Sequence, residues 1–455
     1  MEKSCSGNVA APCNQGLGNY LAGDVPDETK WADCVHCGLC LEACPTYLET
    51  GHEHQSPRGR VHLIQAVAEG KVELNAQFMD PVFTCLDCRA CETACPANVQ
   101  VGGLIEEARG QVRRALPLTG WKGRMSRFFL HGVFPKPRRL ERLGRVLHLL
   151  RKSRLPDVAR KTGVIRWFPA HLDQLEQVTP QIGVPVRKQF PEIVPAQGER
   201  KKRVAILTGC VMDLVFSHVN EATIRVLTRN GYEVHIPKEQ TCCGALHVHA
   251  GEREAGRRLA RRNIEAFADA EAVLVNAAGC GCAMQEYPEW FREDPKMREI
   301  AEDFAAKVSD VSQFLYDHGF EKPAGRIAAR VTYHDACHLA HGQGVRDEPR
   351  KLLKEIPGLE LVEMPEADRC CGSAGIYNLT HPEMAGAILK QKMEYVPEGA
   401  ELISMGNPGC MLQMAMGVLR HGPKAEVVHT MELLDGSYRK GEEPCSEEKS
   451  DGPTP

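Results

Sequence analysis

Two copies of one cysteine run constrain this chain more than anything else in it. Residues 34–45 read Cys34-x-x-Cys37-x-x-Cys40-x-x-x-Cys44-Pro45, and residues 85–96 repeat that spacing with Cys85, Cys88, Cys91, Cys95 and Pro96. Three thiolates at two-residue gaps wrap one face of an iron–sulfur cube, because the loop must turn sharply to present each sulfur to a different iron. The fourth, ahead of a proline that breaks the turn, reaches the other cube of a pair. The spacing therefore assigns Cys34, Cys37, Cys40 and Cys95 to one 4Fe–4S cluster, and Cys85, Cys88, Cys91 and Cys44 to a second. Zinc competes for any Cys-x-x-Cys, but it asks for two such pairs or for cysteine with histidine. Two complete runs ending in Cys-Pro argue for the cubes. Crossed ligation keeps the cubes close, so an electron entering one can pass to the other.

The chain has 455 residues, room for roughly three ordinary domains, and 20 cysteines. In a small secreted protein that many cysteines would mean a disulfide scaffold. Here they fall in tight clusters in a long chain, and the first residues, MEKSCSGNVAAPCNQG, show no apolar signal core. No run approaches the roughly 18 apolar residues of a membrane span. The expectation is a cytoplasmic protein, with peripheral attachment to the inner face of the cell membrane as the other placement. A formal net charge of -4 gives no global pull toward nucleic acid.

Composition and cysteine spacing divide the chain into six parts. Residues 1–28 and 437–455 are Gly-, Asn- or Pro-rich without periodicity and read as flexible tails, so Cys5, Cys13 and Cys445 read as free thiols. Between them lie an α-helical ferredoxin-like domain (29–111), a basic helical linker (112–200) and two blocks, 201–322 and 323–436, that repeat one another. The first block runs VAILTGC, YEVHIP, TCCGA, AVLVNAAGC, VSDVSQFLYDHG; the second runs RVTYHDAC, LELVEMP, RCCGS, ELISMGNPGC, VVHTMELLDG. Short apolar strands alternating with helical runs predict βαβ units and mostly parallel sheets, giving an α/β multidomain protein. The cysteines fall at or just after the strand ends, where open α/β sheets place ligands.

Cys210, Cys242, Cys243, Cys280 and Cys282 form the first set, and Cys337, Cys370, Cys371 and Cys410 the second. Adjacent cysteines on a glycine-supported turn make poor disulfides but can share a metal, so both sets are candidate iron–sulfur or zinc ligands. His247, His249, His334, His338 and His341 stand nearby as candidate ligands or proton carriers, although a loop histidine more often only makes hydrogen bonds. Asp335, beside Cys337, is placed to orient a neighbouring group. No residue is singled out as catalytic.

The paired pattern Cys…Cys-Cys-Gly…Cys resembles the CCG cysteine-rich domain of heterodisulfide reductase and of the iron–sulfur subunits of flavin-dependent hydroxyacid dehydrogenases. The order WADCVHCGLCLEACPTY, SPRGRVHLI, TCLDCRACETACP, LTGCV, CCGALHVH, NAAGCG, CCGSAGIYNL, GNPGC, VVHTMELLD is similar above all to the glycolate oxidase iron–sulfur subunit family. The resemblance implies electron transfer from a partner that binds FAD and oxidises glycolate, toward a quinone or another acceptor. D-Lactate and anaerobic glycerol-3-phosphate dehydrogenases have related subunits, and a heterodisulfide-reductase-like catalytic subunit is the rival of another class. In those reductases each module ends in Cys-x-x-Cys and can hold a cluster on five cysteines. This chain departs from that ending, with Cys280-Gly-Cys282 in one module and Cys410-Met-Leu-Gln413 in the other.

From Val112 to Phe168 the chain is strongly basic, opposed only by Glu141 and Asp157, and Leu140, Leu143, Leu147 and Leu150 recur at helical spacing. Such a segment docks an acidic partner, lies on an anionic membrane surface near the quinone pool, or wraps the chain's own modules. The resemblance to a multisubunit complex favours docking. No nucleic-acid-binding motif accompanies the charge.

Overall fold

A computed structural model describes residues 17–153, 177–180 and 182–442. The first domain is helical: α1 (Pro45–Thr50), α2 (Pro57–Ala68), α3 (Ala76–Thr84), α4 (Ala90–Thr93) and α5 (Val101–Ala115). Proline fits the first helical position, and Pro45 and Pro57 start α1 and α2 there; Ser56 caps α2 by accepting from Gly59 N. On α5, Leu104, Ile105, Ala108 and Val112 are fully buried and pack against Val61, Ile64, Phe78 and Val82. The cysteine loops between these helices turn alike. His36 and Gly38 in the first run, and Asp87 and Arg89 in the second, hold the same positions and all have positive φ, at 53°, 90°, 55° and 63°. That left-handed backbone reverses the chain after successive cysteines, as shared spacing demands.

Both tail expectations need correction where the structure describes them. Tyr20 is buried and donates to Ile64 O at 2.9 Å, while Gln111 Nε2 donates to the carbonyls of Leu21, Gly23 and Asp24 at 2.9–3.1 Å. Residues 17–28 are thus a strap, ordered because one buried amide takes carbonyls that a Gly-rich segment would otherwise leave to water. Residues 437–442 extend the last helix, Thr430–Glu442, since Tyr438 continues the buried spacing of Leu434. Residues 1–16 and 443–455, with Cys5, Cys13 and Cys445, lie outside the described residues.

Each repeated block forms its own sheet. The first contains β1 (Ile193–Val194), β2 (Lys202–Leu207), β3 (Tyr232–His235), β4 (Val273–Val275) and β5 (Val308–Asp310) in the order β1-β3-β2-β4-β5. The second contains β6 (Ala329–Tyr333), β7 (Leu359–Leu361), β8 (Leu402–Met405) and β9 (Glu426–His429) in the order β7-β6-β8-β9. Apart from β1, every pairing is parallel, and β3-β2-β4-β5 matches β7-β6-β8-β9 in order. β1 pairs antiparallel with β3, so the first sheet draws its edge from residues before 201.

The two modules also share cores. Leu207, Val275 and Met284 pack in one cluster with Ile403, Met405 and Met414, and Val204 and Ile206 in another with Val331 and Tyr333. Ala278 N donates to Gly406 O at 3.0 Å, and Arg225 grips Asp435 with Nε and Nη2 at 3.0 and 2.8 Å. Beyond α5 the linker forms α6 (Gly120–Arg127), a wide π-helical turn (Phe128–Val133) and α7 (Pro137–Lys152). Leu140 and Gly144 on α7 face the chain itself, Gly144 abutting Leu214 and Ile182. The side chains of Leu147 and Leu150 lie outside the described ones.

Candidate iron–sulfur and thiolate centres

The cysteines of the first domain gather in two cavities, each drawing on both runs. One is lined by Cys44, Cys85, Cys88 and Cys91 with Arg60 and Arg89; the other by Cys34, Cys37, Cys40 and Cys95, with Cys91 on the shared wall. Burial pushes the Cys88 and Cys91 thiols well above their usual range, and neighbouring cysteines push them further. Such thiols become thiolates only beside positive charge, which is what cluster iron supplies. The donor set therefore fits two iron–sulfur cubes. Arg60, buried, adds a fixed cation: its Nη1 lies 3.7 Å from Cys44 Sγ while Nε donates to Pro81 O at 2.7 Å and Nη2 to Thr46 Oγ1 at 2.9 Å.

Each module presents a row of cysteines at the carboxyl end of its sheet. In the first, Cys210 Sγ is 3.6 Å from Cys242 Sγ, and Cys243 Sγ is 3.2 Å from Cys280 Sγ. A disulfide would need about 2.05 Å, and these cysteines are free. Cys337, Cys370, Cys371 and Cys410 touch in the same order in the second module. The glycines of both Cys-Cys-Gly turns have positive φ, 94° at Gly244 and 86° at Gly372, and a Cβ on Gly372 would meet Ala385 O at 2.8 Å. Only glycine holds the turn that faces both thiols into the row. The last cysteine of each row lies in the first turn of a helix, Ala278–Gln285 or Pro408–His421, rather than at the strand end, so the positive end of a helix dipole faces it.

Cys282 does not join its row. Two residues along a helix turn a side chain by about 200°, so Cys282 points away from Cys280. It packs instead against Gly342 and near Arg89, and burial pushes its thiol up to about 11 although Arg89 pulls the other way. The position that would share the face of Cys280 is three residues on, where Ala283 stands. Gln413 holds the equivalent place after Cys410, with Oε1 accepting from Asn378 Nδ2 at 3.2 Å. Neither module can therefore face five thiols into one row.

The rows differ in their relation to the first domain. Cys88 is buried in one apolar cluster with Leu86, Ala90, Cys370, Tyr377 and Ile388, with Cys337 packed against it. The second module's row therefore abuts the cavity of Cys44, Cys85, Cys88 and Cys91. Spacing could not show this, because the contact joins residues far apart in the chain.

The histidines have separate roles. His247 donates Nε2–H to Leu130 O at 2.5 Å and clamps the linker; His338 donates to Asp87 O at 2.8 Å; His341 donates to Asp368 O at 3.1 Å. His249 Nε2 lies 3.3 Å from Glu106 Oε1 and 3.7 Å from Asp87 Oδ2. Burial opposes ionisation of Glu106, but the His249 hydrogen bond and charge outweigh it and hold the carboxyl down to about 2. Asp335 is taken bidentately by Arg350, at 2.8 and 2.7 Å, and orients no cysteine. His334 alone of these stands beside the cysteines Cys371 and Cys410, with no hydrogen-bond partner on either nitrogen.

A helical domain with two cysteine cavities, joined to paired βαβ modules with thiol rows, defines an iron–sulfur protein of the dicluster and cysteine-rich class. Family matches agree: a 4Fe-4S dicluster domain over residues 30–99, the linker region of the glycolate oxidase iron-sulfur subunit over 121–179, and a cysteine-rich domain over 204–285 and 331–415. The chain is 42% identical over 419 residues to a probable glycolate oxidase iron-sulfur subunit of Bacillus subtilis, covering 90% of this chain and 94% of that one. It is 34% identical to the glycolate oxidase iron-sulfur subunit of Escherichia coli over the same shares. It is also 27% identical to a fumarate reductase (CoM/CoB) subunit of Methanothermobacter marburgensis, covering 93% of this chain and 76% of that one. The chain belongs to the glycolate oxidase iron–sulfur subunit family, and is an iron–sulfur subunit of a hydroxy-acid oxidase. No helix among the described residues is long and apolar enough to cross a membrane.

Proposed function

We propose that this chain carries electrons from a partner that binds FAD and oxidises glycolate to glyoxylate. The observation that carries the reading is the unbroken line of thiol groups: the cavity of Cys34, Cys37, Cys40 and Cys95, its neighbour with Cys44, Cys85, Cys88 and Cys91, and then Cys337 and Cys370 against Cys88. Those eight cysteines of the first domain hold two 4Fe–4S clusters in crossed fashion, and each module row holds a further iron–sulfur centre or zinc. Bound clusters of this kind take up and release single electrons. Around them Arg60 and Arg89 offset thiolate charge, while Leu86, Tyr377 and Ile388 keep water from the junction of Cys88 with Cys370.

The acceptor side lies toward the linker. A cavity of about 330 Å³ runs between the first domain and both modules, walled by Met79, Phe83, Leu86, Leu246, Ile376 and Tyr377. Cys85 lines its depth and Leu118 its rim. That size, with apolar walls and the polar groups of Arg109, His249 and His381 also lining it, suits a small ring that carries polar oxygens, such as a quinone head. Leu118 begins a stripe continued by Trp121, Met125 and Phe128 on and just after α6, with Trp121 70% and Phe128 57% exposed. Arg124 and Arg127 flank it, also exposed. Exposed aromatic and apolar groups at helical spacing beside arginines fit an anionic bilayer surface.

The test is anaerobic purification from the native host, identification of co-eluting chains, and dye reduction with glycolate, D-lactate and glycerol 3-phosphate. Co-elution with a flavoprotein and preference for glycolate are expected. Elution alone, with no flavoprotein partner, defeats the subunit reading. Preference for D-lactate would move the substrate from glycolate to a larger 2-hydroxy acid.

A further inference from the structure

We infer that His334 is a metal ligand in the second module, so that its centre is held by imidazole as well as by thiolates. The inference rests on the reading of the module rows as metal sites. His334 follows β6 and is fixed by its backbone, whose N–H donates to Ser404 O at 2.9 Å. Its side chain is 0% exposed, and neither Nδ1 nor Nε2 has a hydrogen-bond partner. Ala367 O is the carbonyl that approaches the ring, but it already accepts from Asp335 N at 3.0 Å and Lys392 Nζ at 2.9 Å. Leaving a buried polar atom unsatisfied costs its full desolvation penalty. The other buried histidines of the described residues do not bear this cost twice: His247 donates to Leu130 O, and His429 donates Nε2–H to Asn276 O at 2.9 Å while accepting from Met431 N at 3.1 Å.

What surrounds His334 explains the exception. One ligand atom from each of His334, Cys371 and Cys410 lies within 4.8 Å of the others, all three residues buried. Ligand bonds of about 2.0–2.3 Å to a tetrahedral ion bring neighbouring donors to about 3.3–3.8 Å, so a small inward movement completes the set. The first module offers no such group, because three residues before Cys210 stands Leu207, a core residue, where the second module has His334 three before Cys337. Neither row has a fifth thiol, since Ala283 and Gln413 stand at that place, so His334 gives module two a donor that module one lacks. When a neutral nitrogen takes the place of one thiolate on a metal, the centre becomes easier to reduce, as when histidines replace cysteines on one iron of a two-iron cluster. Module one keeps thiolates only. The two rows are then unequal, and the one touching Cys88 is the one tuned for reduction.

The test uses the full chain labelled with 15N-histidine, together with its Cys410→Ser, His334→Ala and His334→Cys variants. Iron and zinc per chain are counted, and pulsed EPR records nitrogen coupling for iron, or K-edge absorption records imidazole scattering for zinc. The wild type should show a histidine signal that both His334 variants lack. His334→Ala should weaken retention of the module's metal against a chelator by about 10–100-fold, and His334→Cys should recover it. A Cys410→Ser variant that loses no metal would sink the module reading itself. Metal lost in Cys410→Ser but retained unchanged in His334→Ala, or no histidine signal in the wild type, would overturn the ligand assignment alone. The labelled wild type decides even if a variant does not fold.

Discussion

Arg60 Nη1 and Cys44 Sγ lie 3.7 Å apart in the interior of the first domain, where Arg60 is 1% exposed. A buried guanidinium beside a cysteine from the first run, in a cavity otherwise lined by cysteines of the second, ties the crossed arrangement to a charge. Cys44→Ser should therefore damage the cluster of Cys85, Cys88 and Cys91 and spare that of Cys34, Cys37 and Cys40. Iron counts and EPR of the reduced protein check this; damage confined to the other cluster would refute the crossing.

Arg60→Met keeps length but removes the cation and its hydrogen bonds to Pro81, Thr46 and Gln55. Each buried acceptor left without its donor costs about 1–3 kcal/mol. Loss of the cation should lower the midpoint potential of that cluster, because reduction adds negative charge that Arg60 no longer offsets. A redox titration reads the shift, and an unchanged potential in a fully loaded variant would show the arginine to be structural only.

Cys282 and Ala283 give a test of the module rows. Cys282→Ser should leave metal content unchanged, because that side chain turns toward Gly342 and Arg89. Ala283→Cys should place a thiol on the face of Cys280 and alter the module's visible absorption or its hold on metal. If Cys282→Ser lost metal in the same amount as Cys280→Ser, the two residues would have to share a centre after all.

How far the sequence was legible varied with the kind of information each feature carries. The cysteine runs and the repeat were readable because ligand spacing and strand periodicity are local, and they appear as the paired loops and the matching strand order. Strand ends were placed too late at Cys280 and Cys410, since Gly-rich helix starts look like strand exits. The strap of residues 17–28 was missed because its order comes from Gln111, far along the chain. The contact of Cys88 with the second row and the isolation of His334 are long-range packing, for which one sequence has no signal. The basic linker showed its charge, yet its exposed apolar residues include the stripe of Trp121, Met125 and Phe128 on and just after α6 as well as Val146 and Leu149 on α7, while Leu140 of the α7 leucines packs inward.

That stripe makes the membrane reading measurable. Trp121→Glu and Phe128→Glu touch exposed side chains, so the fold should hold, while each should weaken cosedimentation with anionic vesicles by about tenfold. Binding should also fall with salt. Leu246→Trp, filling the cavity beside Cys85, should abolish quinone reduction and spare reduction of a soluble dye. Equal loss of both activities would mean that the cavity is not the acceptor site.

Asp310 offers a prediction about stability and pH that involves no cysteine. It ends β5 and caps the helix Val311–His318, accepting from Ser312 N at 2.7 Å. Burial pushes its carboxyl up to about 6 against that hydrogen bond, with Glu348 adding to the rise. In the unfolded chain the group titrates near 3.9, so between these values the folded state binds the extra proton. Its contribution is complete below the lower value and is lost as pH rises through about 6, a difference of about 3 kcal/mol. Asp310→Asn retains a capping oxygen and cannot ionise. Thermal unfolding of both proteins between pH 5 and 7.5 should show the variant gaining on the wild type as pH rises. A constant gap across that range would mean that Asp310 ionises in the folded protein as easily as in the open chain.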